Sequence, residues 1–332
     1  MPWAPDFTQP FMLVDVSYTT FYKFYALKSW YMLAHKGDAE AEAIKANPAY
    51  KWTDNPAFME KYKLLYIEQL IKISKKYKIP FTNIVFATDC RQSDIWRHQY
   101  MGEYKATRAE SHRKQGFIDY SIFSITRELI AEFCNANNTT VFSHPNAEAD
   151  DVIFTITQFI KGKVPAPPPS PTPIYIIASD ADYIQICSND APVVRLLNMK
   201  GDPIEFEDSK IHLINKILLG DPSDNIMACH ITEKLRPPKA SVKSSKLTKS
   251  LLKKLLDDPE FRKLILEQFD ANRALFNEAK REKRRISKEQ LTDQLTQDSG
   301  MSRNQLIIDF FGIPFDIIES IESSIMVELA SR

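Results

Sequence analysis

Residues 11–17 read FMLVDVS. An apolar run this short, without a helical period, predicts a strand buried on both faces, with Asp15 at its carboxyl end. The same shape recurs in NIVFATD (83–89), TTVFSHP (139–145), IYIIASDAD (174–182) and APVVRLL (191–197). Helical stretches lie between these strands. Residues 18–35 are aromatic, and 58–77 carry a helical period through Met59, Tyr62, Leu65, Tyr66, Gln69, Leu70 and Ile73. A further helix is predicted near 120–135, and EADDVIFTITQFI reads as a buried one. Strands alternating with helices predict an α/β domain with a mainly parallel twisted sheet over residues 1–205. Residues 36–57, polar and with two prolines, read as a loop or insertion, and the Pro-rich VPAPPPSPTP (164–173) as a surface connection. From 206 to 332 the chain reads as helical: one helix over 209–219 stops at Gly220 before Pro222, and others fall near 247–283 and 315–330.

Bulk composition narrows the class. The 332 residues are 44% hydrophobic and 26% charged, enough to bury a sizeable core. The cysteines Cys90, Cys134, Cys187 and Cys229 are far apart and lack zinc-ligand spacing, which fits a reducing compartment. The start, MPWAPDFTQPF, has no signal-peptide pattern, and no apolar run reaches membrane-spanning length. Formal net charge is zero, which speaks mildly against a nucleic-acid protein, but the charges are segregated. Residues 233–254 carry eight Lys or Arg against Glu233 alone, and 278–288, EAKREKRRISK, are mainly basic. A run of this kind is as often a solvated helix face as a phosphate-binding surface.

The acids collect at strand ends. Asp15, Asp89, the group Glu148, Asp150 and Asp151 in NAEADDVI (146–153), and the pair Asp180 and Asp182 all fall at or just after a predicted strand. Asp221 and Asp224, in GDPSDNI, add two from the helical part. Taken singly, each reads as a cap or turn residue. Taken together, strand ends of a parallel sheet open onto one edge, where ligands bind. Crowded carboxylates raise one another's pKa until a proton or a cation intervenes. Oxygen ligands without His or Cys select Mg²⁺ or Mn²⁺, and several carboxylates around two such ions make a clamp for phosphodiester hydrolysis.

LVDVS, IVFATDC, EADD, SDADYIQI and GDPSDNI resemble, in order and spacing, the acidic motifs of the flap-endonuclease-type 5′ nucleases across nearly the whole chain. RQSDIWRHQYMGEYKATR (91–108) is similar to the segment after the second acidic strand in bacteriophage members, and DFFGIPFDIIESI (309–321) to the C-terminal end of a T-even phage member. The resemblance implies a PIN-like catalytic domain over 1–205 and a helix-three-turn-helix-like DNA-binding domain over 206–332. It implies that Asp15, Asp89, Asp150 and Asp180 hold a first ion with Glu148 in support. A second ion falls to Asp182, Asp221 and Asp224, and Asp151 matches an acid that only some phage members carry. It implies an arch over about 91–115, in which EYK (103–105) matches the family's Tyr-Lys pair. Lys105, Tyr104 and Arg97 are the candidate catalytic residues there, with Arg91 and Arg108 beside them; Trp96, Tyr100 and Tyr104 offer stacking faces. The usual Gly-rich stretch after GDPSDNI is replaced by MACHITEKLRPPK (227–239), so no potassium site is expected. Duplex grip falls instead to Lys234, Arg236, Lys239, Lys243, Lys246 and Lys249, and His230 reads as structural.

The activity this implies is a 5′→3′ exonuclease and flap endonuclease with ribonuclease H activity. Its cofactor is two Mg²⁺ or Mn²⁺ ions, and it removes lagging-strand RNA primers. Expected partners are DNA and RNA–DNA duplexes with 5′ ends or flaps; family members also work beside a sliding clamp and a single-stranded DNA-binding protein. The expectation is a monomer in the cytoplasm, that of the host cell for a viral protein. Three competing readings differ by feature. A haloacid-dehalogenase-type phosphatase needs an acid where Ser17 stands. A PIN-type single-strand ribonuclease does not need the helical region. A DNA-junction binding module with a decayed site would lack some of the acids.

Overall fold

The computed structural model describes residues 3–47, 49–108, 110, 119–164, 172–206, 208–229, 248–291 and 300–331. These form two compact units. The first comprises residues 1–90, 109–205 and 321–332, and the second residues 91–108 and 206–320.

In the first unit the five apolar runs are strands: β1 (Phe11–Asp15), β2 (Ile84–Thr88), β3 (Thr140–Ser143), β4 (Ile174–Ile177) and β5 (Val194–Leu197). They make one sheet in the order β3-β2-β1-β4-β5, parallel at every pairing. β1, fully buried on both faces, is central. Its register sets Leu13 opposite Val85 and Ile176, and Asp15 opposite Ala87. The chain winds outward on either side of β1, so the order reverses between β1 and β4. In open parallel sheets ligands bind outside the strands' carboxyl ends at that crevice.

Helices α1 (Val16–Ala34), α3 (Pro56–Tyr77) and α4 (Ser121–Asn137) cover one face. Phe24, Tyr62, Tyr66, Leu70 and Ile130 pack there against Met12, Val14, Phe86 and Ile177. Helix α5 (Ala149–Lys163) runs along β1, β2 and β3 outside that cluster and covers the other face. The loop expected over 36–57 holds a short helix, α2 (Ala39–Ala46), which buries Ala41 and Ile44. Pro56 marks a boundary instead of an unstructured stretch: it is the first helical residue of α3, and Asn55 caps that helix. The Pro-rich connection lies mostly outside the described residues.

The second unit contains α6 (Ser209–Leu219), α7 (Lys249–Leu256), α8 (Pro259–Arg281) and α9 (Met301–Ile308), with the start of α10 (Phe315–Ala330). The helix expected over 247–283 is broken at Asp258–Pro259, where Asp258 accepts from the Glu260 and Phe261 N–H groups. Segment 91–108 belongs to this unit: Ile95 and Trp96 are buried, and the Arg97 Nε–H donates to the Ile307 carbonyl at 2.8 Å. Among the described residues no helix is long and apolar enough to cross a membrane.

Candidate metal centre and nucleic-acid interface

Asp15 ends β1 and caps α1. One carboxylate oxygen accepts from the Tyr18 N–H at 2.9 Å, the other from the Tyr183 hydroxyl at 2.8 Å. Burial pushes its pKa up to about 7, with the charges of Asp89 and Asp180 adding to the rise and the hydrogen bonds from Tyr18 and Tyr183 opposing it. Asp89, exposed just past β2, accepts from the Ala149 N–H at 2.8 Å and so ties that strand end to the first turn of α5. Asp180 caps the turn after β4 and accepts from the Asp182 N–H at 3.0 Å. Burial holds the Tyr183 phenol in its neutral form, and the charges of Asp15, Asp150 and Asp180 act in the same direction. The charges of Asp89 and Asp180 thus reach Asp15, and those of Asp15, Asp150 and Asp180 reach Tyr183.

The acid run of NAEADDVI divides its labour. Glu148 is the N-cap of α5, and its N–H donates to Asp151 at 3.2 Å, the return half of a capping box. Asp151 is 0% exposed, so capping uses it inside the fold. Asp150, half-buried, accepts the Asp151 N–H at 2.7 Å. Of the three, Glu148 and Asp151 are the two whose positions the capping box accounts for.

The first unit thus carries Asp15, Asp89, Glu148, Asp150, Asp180 and Asp182, oxygen donors throughout. The structure fits a divalent cation on a specific ground: Asp15 is buried under the charges of Asp89 and Asp180, and a hard cation would relieve that repulsion. Tyr183, within the SDADYIQI stretch but assigned no role by the acid pattern, is the buried donor that orients Asp15. Its signal was a polar side chain placed directly after two strand-end acids.

In the second unit, GDPSDNI forms a tight loop in which the Asp221 N–H donates to the Ile226 carbonyl at 2.9 Å and the Ile226 N–H returns to Asp221 at 2.8 Å. Gly220 has φ +72°, and a Cβ there would lie 2.4 Å from the Ile226 oxygen, so only glycine fits. Asp221 pairs with Lys216 at 2.8 Å. Burial pushes Asp221 up, but the Lys216 charge and the hydrogen bonds from Lys216 and Ser223 outweigh it and leave the carboxyl below its usual range. Asp224 is buried and takes the Tyr104 hydroxyl at 3.1 Å, the Lys105 ammonium at 3.5 Å and the Arg108 guanidinium at 3.2 Å.

The arch candidates are placed unevenly. Arg91 is exposed and Arg108 half-buried, while Tyr104, Lys105 and Arg97 are 3%, 6% and 2% exposed. Arg97 stacks over Trp96 at 4.6 Å and bonds the Ile307 carbonyl, the position of a structural strut. The rings expected to offer stacking faces turn inward: Trp96 is 1% exposed, and the Tyr100 hydroxyl donates to the Ile286 carbonyl at 2.8 Å. Lys249 is exposed at the start of α7. Lys234, Arg236, Lys239, Lys243, Lys246 and His230 lie outside the described residues, as do residue 109 and residues 111–115 of the expected arch.

A parallel sheet with an acid at successive strand ends defines a class. The family described as 5′-3′ exonuclease, N-terminal resolvase-like domain matches residues 10–212, and the chain belongs to it: it is a 5′ nuclease, a hydrolase. Ribonuclease H of Enterobacteria phage T4 is 24% identical over 226 residues, 64% of this chain and 70% of the phage protein. Among solved structures, T5 5′-exonuclease with divalent zinc bound superposes with a TM-score of 0.52 at 13% identity, over 97% of this chain and 100% of that one. T5 D15 protein co-crystallised with metal ions gives a TM-score of 0.51 at 11% identity, with 97% and 100% covered. At such identities the T5 likeness is one of fold.

Proposed function

We propose that this chain is a Mg²⁺-dependent 5′→3′ exonuclease and flap endonuclease with ribonuclease H activity, which removes RNA primers and adjacent DNA during replication. What supports this reading is membership of the 5′–3′ exonuclease family together with Asp15, Asp89 and Asp180 at neighbouring strand ends, near enough for the charges of Asp89 and Asp180 to act on Asp15. Divalent ions held there supply Lewis-acid activation of a water and stabilisation of the leaving 3′ oxygen. Two ions fit better than one, because Mg²⁺ ordinarily takes only one or two carboxylates and keeps its waters, whereas the first unit alone offers six.

The chain's own residues divide the remaining work. Tyr183 and the Tyr18 N–H fix both oxygens of Asp15, and the Ala149 N–H fixes Asp89. Exposed Asp180 and half-buried Asp182 face water, where ions and substrate arrive. In the second unit Lys105, Arg108 and Arg91 are the cations for the phosphate beside the scissile bond, and Lys249 with the basic run before it grips duplex phosphates. The natural substrate is a 5′ end or flap on DNA or an RNA–DNA duplex, met in the cytoplasm where the genome is copied.

End-labelled flap, nicked and RNA-primed duplexes, each with Mg²⁺ and with EDTA, test the reading. Cleavage near the 5′ end, leaving 5′-phosphate and 3′-hydroxyl groups and stopped by EDTA, is the expected result. Cleavage confined to single-stranded RNA would replace it with the PIN-type ribonuclease.

A further inference from the structure

Asp224 sits in a turn of three residues, Pro222–Asp224, and is 7% exposed. Both of its carboxylate oxygens are engaged. Oδ2 accepts from the Tyr104 hydroxyl at 3.1 Å and lies 3.5 Å from the Lys105 ammonium; Oδ1 accepts from Arg108 at 3.2 Å. The main chain repeats the tie. The Lys105 N–H donates to the Asp224 carbonyl at 2.9 Å, and Asn225 Nδ2–H donates to the Glu103 carbonyl at 2.8 Å. Lys105 itself holds φ +57°, a left-handed backbone uncommon for a non-glycine residue. Its ammonium lies 5.0 Å from the Tyr104 ring centre, and its carbonyl accepts from Gln92 Nε2–H at 2.9 Å.

Two cations and a phenol surround this one buried carboxylate. A lone partner removed from such a group leaves an uncompensated buried charge, so the cluster holds together as a unit. Asp221, three residues earlier in the same loop, is taken by Lys216 and not by the 103–108 segment. The arrangement at Asp224 is therefore specific to that position.

We propose that Asp224 is a positioning residue that anchors the Tyr104–Arg108 segment and so sets where Lys105 and Arg108 stand. The use of those cations, to meet a substrate phosphate, rests on the nuclease reading above; the anchoring does not. On this view a nuclease lacking the Asp224 carboxylate is impaired because its arch cations wander, even under conditions in which no ion is bound.

The test needs neither metal nor DNA. Full-length protein in EDTA is treated with an amine-acylating reagent, and modification of each lysine is followed by peptide mass spectrometry. In the wild type Lys105 should react slowly. In Asp224→Asn it should react about tenfold faster, roughly what losing one charge-assisted hydrogen bond allows. Lys280, in a different part of the same unit, should keep its wild-type rate, which a general loosening of the fold would not permit. In Asp221→Asn the Lys105 rate should stay that of the wild type. If Asp224→Asn fails to fold by circular dichroism, Asp224→Ser takes its place, since it too removes the carboxylate that Lys105 faces and leaves a smaller polar side chain; Lys105 should again accelerate. Equal Lys105 rates in the wild type and the folded variant overturn the anchor. Failure of the wild type to cleave any 5′-ended duplex would overturn the nuclease reading and leave the labelling result standing.

Discussion

Asp15 does two jobs that the same geometry permits: it caps α1 with one oxygen, and it presents the other, through Tyr183, among the acids of the strand ends. Capping and ligation are not alternatives at such a site, because the helix start is what brings the carboxylate to the sheet edge. Asp180 has less to do structurally, since it is exposed and, as a cap, accepts from the nearby Asp182 N–H. Asp180→Asn should therefore leave the melting temperature without metal unchanged. It should lower Mg²⁺-dependent cleavage at least about a hundredfold, and abolish the rise in melting temperature that Mg²⁺ gives the wild type. Cleavage retained near the wild-type rate would remove Asp180 from the ligand set.

Lys280 makes a separate case at this scale. Burial depresses its pKa to about 8, Arg273 adds to the fall, and Asp309 opposes it. The folded value lies below the ordinary lysine value, so the charged form is disfavoured in the fold. The penalty is fully present below pH 8 and is relieved as pH rises from about 8 towards 10.5. Lys280→Met should stabilise the protein at pH 7 by about 2 kcal/mol, and the gain over wild type should shrink as the pH approaches 10. Urea melts at both pH values check the sign. What was legible in the sequence at this scale was the position of each acid relative to a strand. What was not legible was which acid the fold would spend on itself: Asp151 on a cap, Asp224 on Lys105 and Arg108. Spacing along the chain shows neighbours in sequence but not the cations that arrive from a segment more than a hundred residues away.

At the scale of elements, the strands and the long helices followed from apolar runs and periodicity, because parallel strands buried on both faces cannot hide their composition. Helix α9 was missed for a matching reason. MSRNQLII buries Ser302, Asn304 and Gln305, and these are satisfied internally. Asn304 donates to the Ile217 and Met227 carbonyls at 3.0 and 2.9 Å, and Asn272 to Gln305 at 2.9 Å. A helix that buries amides has no apolar stripe to read. The 36–57 stretch misled in the opposite way, since Asn55–Pro56 is a helix start that looks like a loop. Asn55 Oδ1 accepts from the Phe58 N–H at 2.9 Å, and its amide donates to the Tyr31 and Tyr50 hydroxyls. Asn55→Ala should cost about 1–2 kcal/mol in chemical denaturation. Gly220→Ala should cost about 2 kcal/mol or more, since both the positive φ and the Ile226 carbonyl oppose a side chain there. A neutral result in either melt would contradict the local geometry.

For the whole molecule, a net charge of zero conceals a basic run over residues 233–254. If that run neutralises six or more phosphates, affinity for duplex DNA in Ca²⁺ or EDTA should fall about a thousandfold between 50 and 200 mM salt. A shallow slope would mean that grip comes from elsewhere.

The second unit is discontinuous along the chain: residues 91–108 are made long before residues 206–320, with which they pack. During synthesis, Ile95, Trp96 and Tyr104 leave the ribosome with their eventual neighbours still untranslated. For about a hundred residues of elongation this oily stretch is a natural client for a chaperone. A fragment that stops at residue 205, however complete its sheet, is left with that surface permanently uncovered and should aggregate.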